Sequence, residues 1–319
     1  MTEPAVQEAL QGQGAVQSPA SVVRDQGDGH EAEEHDDPVH LANPELAHHF
    51  DTPQHQFDAG KLGIWLFLVT EVLFFAGLFC AYAIYRAQHP EIFNYAHYFL
   101  DTKLGAVNTI VLLFSSLTAA WAVRAAQLGQ RRRLSALLAA TIACAGIFLA
   151  VKYVEYSHKA HAGLLWGKNF APTQEVWEVP AFRTKHPAAA RLAGRLAAAS
   201  TLKDDGAAFR RLVSQHAHDE PAMKPLVDAG IVGGGATVEG KEFGRPKRAP
   251  IFFGIYFFMT GLHGVHVIAG ILVFSWLLKR SFSGVFGANY FGPVDFSALY
   301  WHLVDLIWIY LFPLLYLIH

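Results

Sequence analysis

Apolar and polar positions alternate along this chain in long blocks rather than at helical or strand period. Five apolar stretches recur: Leu62–Tyr85, Leu104–Val123, Leu134–Tyr153, Ile251–Leu278 and Phe296–Ile318. Each is close to the roughly 20 residues that span a hydrocarbon core about 30 Å thick. Core helices of a water-soluble protein would be shorter and would carry a polar stripe. The pattern predicts an all-α, polytopic transmembrane helix bundle with five spans. It divides the chain into a tail (1–58), three transmembrane helices (59–166), an extramembrane insertion (167–248) and two further transmembrane helices (249–319).

Residues 1–58 are rich in Gln, Gly, Asp, Glu and His and cannot bury enough apolar surface to order themselves. They read as a disordered, acidic, His-rich tail. His30, His35, His40, His48, His49 and His55 lie among acids, and a solvated tail and a metal-scavenging one are the two readings. No basic n-region followed by an apolar h-region marks a signal peptide, so membrane insertion is expected to start from Leu62–Tyr85. The loop from Arg124 to Arg133 carries four arginines, and the loop after the fourth span opens with Lys279-Arg280. The positive-inside rule places both in the cytoplasm. Alternation then puts the N-terminus inside, and the C-terminus and 167–248 outside. Within the insertion, Ala188–Ala199 and Ala207–His216 read as helices, and a third starts at Asp219-Glu220-Pro221. Gly230–Gly240 reads as a flexible glycine-rich run.

Composition narrows the chemistry. A net charge of −2 gives no reason to expect a nucleic-acid partner. Cys80 and Cys144 both fall inside spans, and no CxxC or CxxCH occurs, which argues against covalent c-type haem, a zinc ribbon, an iron–sulfur site and a disulfide framework. There is no P-loop, no Gly-x-Ser-x-Gly elbow and no HExxH. Without broken spans or an inverted repeat, a transporter is a weak reading.

The polar residues inside the spans carry the remaining information. Glu71 lies about ten residues, or roughly 15 Å, into its apolar stretch. A carboxylate there costs at least a few kcal/mol unless it is paired, hydrated or protonated. It is either a proton-exchanging or lipid-contacting carboxyl, or a protonated group that fixes packing. Gly77 is a candidate for close helix approach. Asn108, Thr109, Ser115, Ser116 and Thr118 suit interhelical hydrogen bonds. Lys152 and Glu155, at i,i+3, are placed to form a local ion pair near the outer interface, where Lys can snorkel. His263 and His266 are one turn apart; His302 and Asp305 are at i,i+3. His263 facing His302 would suit an axial haem pair. The alternative is interhelical hydrogen bonding, with Asp305 and Glu155 as acceptors.

Several strings resemble one family: Trp65-Leu66-Phe67 running into Glu71-Val72-Leu73-Phe74-Phe75, then Asn108-Thr109 and Glu155-Tyr156. They continue with Thr260-Gly261-Leu262-His263-Gly264-Val265-His266-Val267 and Tyr300-Trp301-His302-Leu303-Val304-Asp305. All five spans resemble, in order, subunit III of the haem–copper cytochrome c oxidases. The resemblance implies a non-catalytic subunit of a proton-pumping terminal oxidase, with haem and copper held by partner subunits. It implies packing on subunit I, alongside subunit II, support of proton uptake and of active-site durability, and a structural phospholipid in a cleft.

Glu71 matches the family's buried carboxyl in that cleft, a lipid-contacting or proton-related position. Asn108, Glu155, His263, His266, His302 and Asp305 then become intramembrane polar packing residues, with no metal ligand and no catalytic residue among them. Two departures stand out. The longest members have seven spans, and this chain lacks a counterpart of the first two, so a lipid at Glu71 would need a neighbouring subunit for its other wall. Segment 167–248 has no counterpart, and its location directs it toward cytochrome c, a cupredoxin or another respiratory complex. Subunit III of a quinol oxidase and an accessory subunit of a nitric oxide reductase are close alternatives. A free-standing b-haem membrane protein using His263 and His302 is an alternative of another class.

Overall fold

A computed structural model describes residues 45–47, 49–200, 207–216, 218–232 and 243–318. The first 44 residues, with most of the His-rich tail, lie outside the described residues, as do residues 233–240 of the glycine-rich run Gly230–Gly240. The described residues form helices and no strand. Five helices are long and apolar enough to cross a membrane.

Helix α1, Pro53–Gln88, starts with Thr52, whose side chain accepts from the His55 amide at 3.1 Å, and with Pro at the first helical position. Residues 53–58, assigned to the tail by composition, are therefore helical. The first turns of α1 project past the apolar stretch, so hydropathy does not register them. Helix α2, Pro90–Ala96, follows the break at His89. Helix α3, Thr102–Gln127, is capped by Asp101, whose Oδ1 accepts from the amides of Lys103 and Leu104 at 2.9 and 3.2 Å. Helix α4 spans Arg131–His161. The insertion holds α5 (Pro180–Lys185), α6 (Pro187–Ser200), α7 (Ala207–His216) and α8 (Glu220–Asp228). Helices α9 (Ala249–Phe282) and α10 (Gly292–Tyr316) complete the chain, each with Pro in its first turn.

Helices α3, α4, α9 and α10 make the central bundle; α3 packs on α4 and α10, and α9 on α4 and α10. Helix α1 lies at the edge, mainly against α10. Only 11 % of its apolar window is buried, against 44 % for α10, so most of α1 is exposed on the surface of this chain. Lipid is as apolar as leucine, so helices associate through close packing and polar contacts rather than hydrophobic burial. Gly270 of α9 provides such packing, because a Cβ there would collide with the Trp301 indole of α10. Gly105 on α3 does the same for Phe312 and Tyr316. Gly77 has nothing within 4 Å of where its Cβ would lie, so it is not a helix-contact glycine.

The two ends of the bundle differ. At one end Arg131 Nη2 donates to the Gly284 carbonyl at 3.0 Å, Ser135 and Ser281 hydroxyls meet at 2.9 Å, and Arg280 pairs with Glu45 at 2.7 Å. The α3–α4 and α9–α10 loops and the segment before α1 therefore share that end. Helix α2 and the insertion occupy the other. Gly163, at φ +70°, turns the chain there, and the Ala171 amide returns to its carbonyl at 2.9 Å. The insertion has its own apolar centre: Ala189, Leu192, Ala193 and Leu196 bury one stripe of α6, and Phe182 is fully buried. Arg245 donates to Glu175 at 2.6 Å, and that bond raises the guanidinium pKa. Asn94 Nδ2 on α2 reaches the Asp228 carbonyl at 3.2 Å, linking insertion to bundle.

Gly270→Val should destabilise the α9–α10 contact by about 1–3 kcal/mol through overpacking against Trp301. Gly264→Ala, with nothing within 4 Å, should be neutral or stabilising. Thermal unfolding of both variants in detergent checks the contrast.

Candidate functional site

Two polar clusters lie within the spans. The first is centred on Glu155 of α4. Its Oε2 accepts from Lys152 Nζ at 2.8 Å. Its Oε1 accepts from Lys159 Nζ at 2.7 Å, from the Tyr256 hydroxyl at 2.8 Å and from the Tyr316 hydroxyl at 2.7 Å. Tyr256 is on α9 and Tyr316 on α10, so one carboxylate joins three helices. Lys152 Nζ also contacts both phenol oxygens, at 3.1 and 2.9 Å. All five side chains are buried.

Two ammonium groups and one carboxylate leave one positive charge in excess. Aromatic rings line the site around it. Lys152 Nζ lies 5.1–5.6 Å from the ring centroids of Tyr156, Tyr256, Trp308 and Tyr316, and Lys159 Nζ lies 4.9 Å from that of Tyr256. Desolvated cation–π contacts of this kind contribute about 2 kcal/mol each at best. The Lys152–Glu155 pair forms, but Lys152 points into the bundle and does not snorkel. Sequence reasoning missed Lys159, although its i,i+4 spacing from Glu155 is a standard pairing signal. Tyr256 and Tyr316 carry no local signal.

The second cluster answers where the Glu71 carboxyl goes. His266 Nε2 lies 3.0 Å from Glu71 Oε2, joining α9 to α1. His266 Nδ1 lies 2.9 Å from the Leu262 carbonyl, one turn back. A carbonyl can only accept, so Nδ1 carries a proton. The proton between Nε2 and Oε2 then makes either a carboxylate–imidazolium pair or a carboxylic acid–imidazole pair. Both are net neutral, which removes most of the cost of placing Glu71 this deep. The two side chains are 19 % and 17 % exposed, so the pair sits at the rim of the bundle rather than in its centre. Phe75 packs edge-on to the imidazole at 5.3 Å, and the Tyr300 hydroxyl donates to the His266 carbonyl at 2.9 Å. The partner of Glu71 thus comes from this chain, and no neighbouring subunit is needed to supply it.

The other polar residues disperse along the helix seams. His302 Nδ1 meets Ser116 Oγ at 2.6 Å. Asp305 Oδ2 accepts from Ser115 Oγ at 3.5 Å, and the Trp301 indole donates to the same hydroxyl at 3.0 Å. Trp308 donates to Thr109 at 3.1 Å. Among the described residues, the amide atoms of Asn108 and both ring nitrogens of His263 have no hydrogen-bond partner. His263 is closed in by Phe148 and Trp308, at centroid distances of 5.5 and 5.2 Å. None of the three histidines bonds to Asp305 or Glu155, the acceptors expected from sequence. Among the described residues, no three His, Cys, Asp or Glu side chains are grouped so as to hold a metal ion.

Fold and polar interior together define a multi-pass membrane protein of the helix-bundle class. Residues 47–164 and 248–319 match the family model described as cytochrome c oxidase subunit III. The chain belongs to that family, whose members are subunits of an oxidoreductase complex. The match stops at the start of the insertion and resumes at its end. Cytochrome c oxidase subunit 3 of Thermostichus vulcanus is 40 % identical over 86 residues, 27 % of this chain and 43 % of the relative. The chain therefore spans less than half of that relative. A probable cytochrome c oxidase subunit 3 of Nocardia farcinica is 23 % identical over 258 residues, covering 81 % of this chain and 87 % of the relative. The Synechocystis subunit 3 is 25 % identical over 262 residues, 82 % of this chain and 76 % of the relative.

Glu155→Ala should cost about 3–5 kcal/mol, because it strands two buried ammonium groups. The combined replacement Lys152→Met, Glu155→Leu and Lys159→Met should restore stability to near the parent level. Unfolding midpoints in detergent test both expectations.

Proposed function

We propose that this chain is a subunit of a proton-pumping terminal oxidase that itself holds no redox centre. It packs on the catalytic subunit, supports proton uptake and prolongs the life of the active site. Haem and copper belong to the partner subunits, and cytochrome c is the electron donor of the complex. The N-terminus lies in the bacterial cytoplasm, and the insertion and C-terminus face the periplasm. The distribution of Arg124, Arg131, Arg132, Arg133, Lys279 and Arg280 supports this orientation.

The observation that carries the reading is that Glu155, Glu71 and His266, the most deeply placed ionisable groups with partners, are bonded within the chain. Glu155 binds four donors, His302 is taken by Ser116, and His266 by Glu71. A b-type haem held by His263 and His302 fits poorly. The first imidazole is enclosed by the rings of Phe148 and Trp308, which leaves no room for a porphyrin face beside it. The Glu71–His266 pair is suited to a supporting role. It holds one proton on a 3.0 Å hydrogen bond at the rim of the bundle, beside the exposed side chains of Phe67, Val72 and Phe74. A phospholipid chain lying on that face touches the pair directly.

Glu71→Ala should leave the haem and copper content of the assembled complex unchanged and the initial turnover near the parent rate. It should accelerate loss of activity during sustained turnover, by about tenfold if the pair contributes on the order of 1.4 kcal/mol. Progress curves of oxygen consumption check this. Immediate loss of electron transfer would instead place Glu71 in the reaction path.

A further inference from the structure

We propose that the hairpin joining α3 to α4 is a binding site for one anionic phospholipid, separate from the Glu71–His266 pair on α1 and α9. A groove of about 270 Å³ opens there, with Trp121, Leu128 and Leu137 as apolar walls and Arg124 and Arg133 at its polar end. Arg124 is the first residue after the apolar stretch Leu104–Val123, and Arg133 the last before Leu134–Tyr153. Both guanidinium groups therefore sit where hydrocarbon gives way to headgroups, at the level of lipid phosphate.

The two arginines are held but not neutralised. Arg124 Nη1 donates to Gln127 at 3.3 Å, and Arg133 Nη1 to Gln130 at 2.9 Å. Among the described residues, neither has a carboxylate within 4.0 Å. Residues 124–133 include four arginines and no acid. Arg131 is engaged by the Gly284 carbonyl and Arg132 does not line the groove; Arg124 and Arg133 do. Planar guanidinium groups bind phosphate oxygens in pairs, and basic pockets between spans at this level suit anionic headgroups.

The apolar side points to a lipid rather than a free anion. Trp121 and Leu128 are 54 % and 52 % exposed beside the two charges, which a soluble anion would not require. Leu117 and Leu113 continue the face of Trp121 along α3 at i−4 and i−8, and both are exposed. The groove itself seats the phosphate and glycerol region, and the acyl chains run along that face.

The test is lipid retention by the full-length protein in detergent, read by native mass spectrometry after addition of phosphatidylglycerol or phosphatidylcholine. The parent should retain one phosphatidylglycerol about tenfold more tightly than phosphatidylcholine. Arg124→Gln with Arg133→Gln should abolish that preference while leaving helicity and lipid-free thermal unfolding unchanged. Lys61→Gln with Lys279→Gln removes equal charge at the same end of the bundle and should leave the preference intact. Millimolar inorganic phosphate should not displace the lipid. An equal loss in the control, displacement by phosphate, or absence of retained phosphatidylglycerol from the assembled complex would each overturn the proposal.

Discussion

The Glu155 carboxylate accepts from two lysines of its own helix and from tyrosines on two others, at 2.7–2.8 Å throughout. Hydrocarbon offers no water to a polar group, so each such group must find its partner inside the protein. Glu155 satisfies that constraint at the point where α4, α9 and α10 meet. Smaller bonds repeat the arrangement along the other seams: Thr118 with Thr141 between α3 and α4, Tyr156 with Thr260 between α4 and α9, and Trp308 with Thr109 between α3 and α10. Helix α1 has fewer such bonds and lies at the edge. Position in the bundle and polar connectivity thus vary together.

The Glu71–His266 pair is built differently. It is neutral whichever partner holds the shared proton, and it is partly open to the membrane. The Glu155 cluster is closed and sets two ammonium groups on one carboxylate among aromatic rings. The closed cluster serves the architecture. The open pair holds its shared proton at the rim of the bundle, and the proposed supporting role rests on it.

Much of this was legible from sequence. The five spans follow from apolar length alone, and the insertion helices α6, α7 and α8 start close to their Pro, Ala and Glu-Pro signals. The Lys152–Glu155 pair is local and readable from spacing; Lys159 is equally local but was obscured because it lies past the apolar stretch. Glu71 was visible as an anomaly, yet its partner is 195 positions away, and no periodicity encodes that distance. The assignment of Asp305 and Glu155 as histidine acceptors failed for the same reason. His266 and His302 instead took the nearest carbonyl, carboxyl or hydroxyl that the packing offered. Gly77 shows the limit of residue type as a guide: Gly60, Gly105 and Gly270 make close approaches, because they face large aromatics on α10, and Gly77 does not.

In the proposed role His263 stays closed in by Phe148 and Trp308, His266 is bonded through both ring nitrogens, and the chain holds no haem. The optical spectrum of the full-length protein, purified apart from its partner subunits and shown to be helical by circular dichroism, tests this directly. The account predicts no Soret band and no stoichiometric iron or copper. A reducible Soret band that disappears in a His263→Leu or His302→Leu variant would contradict it.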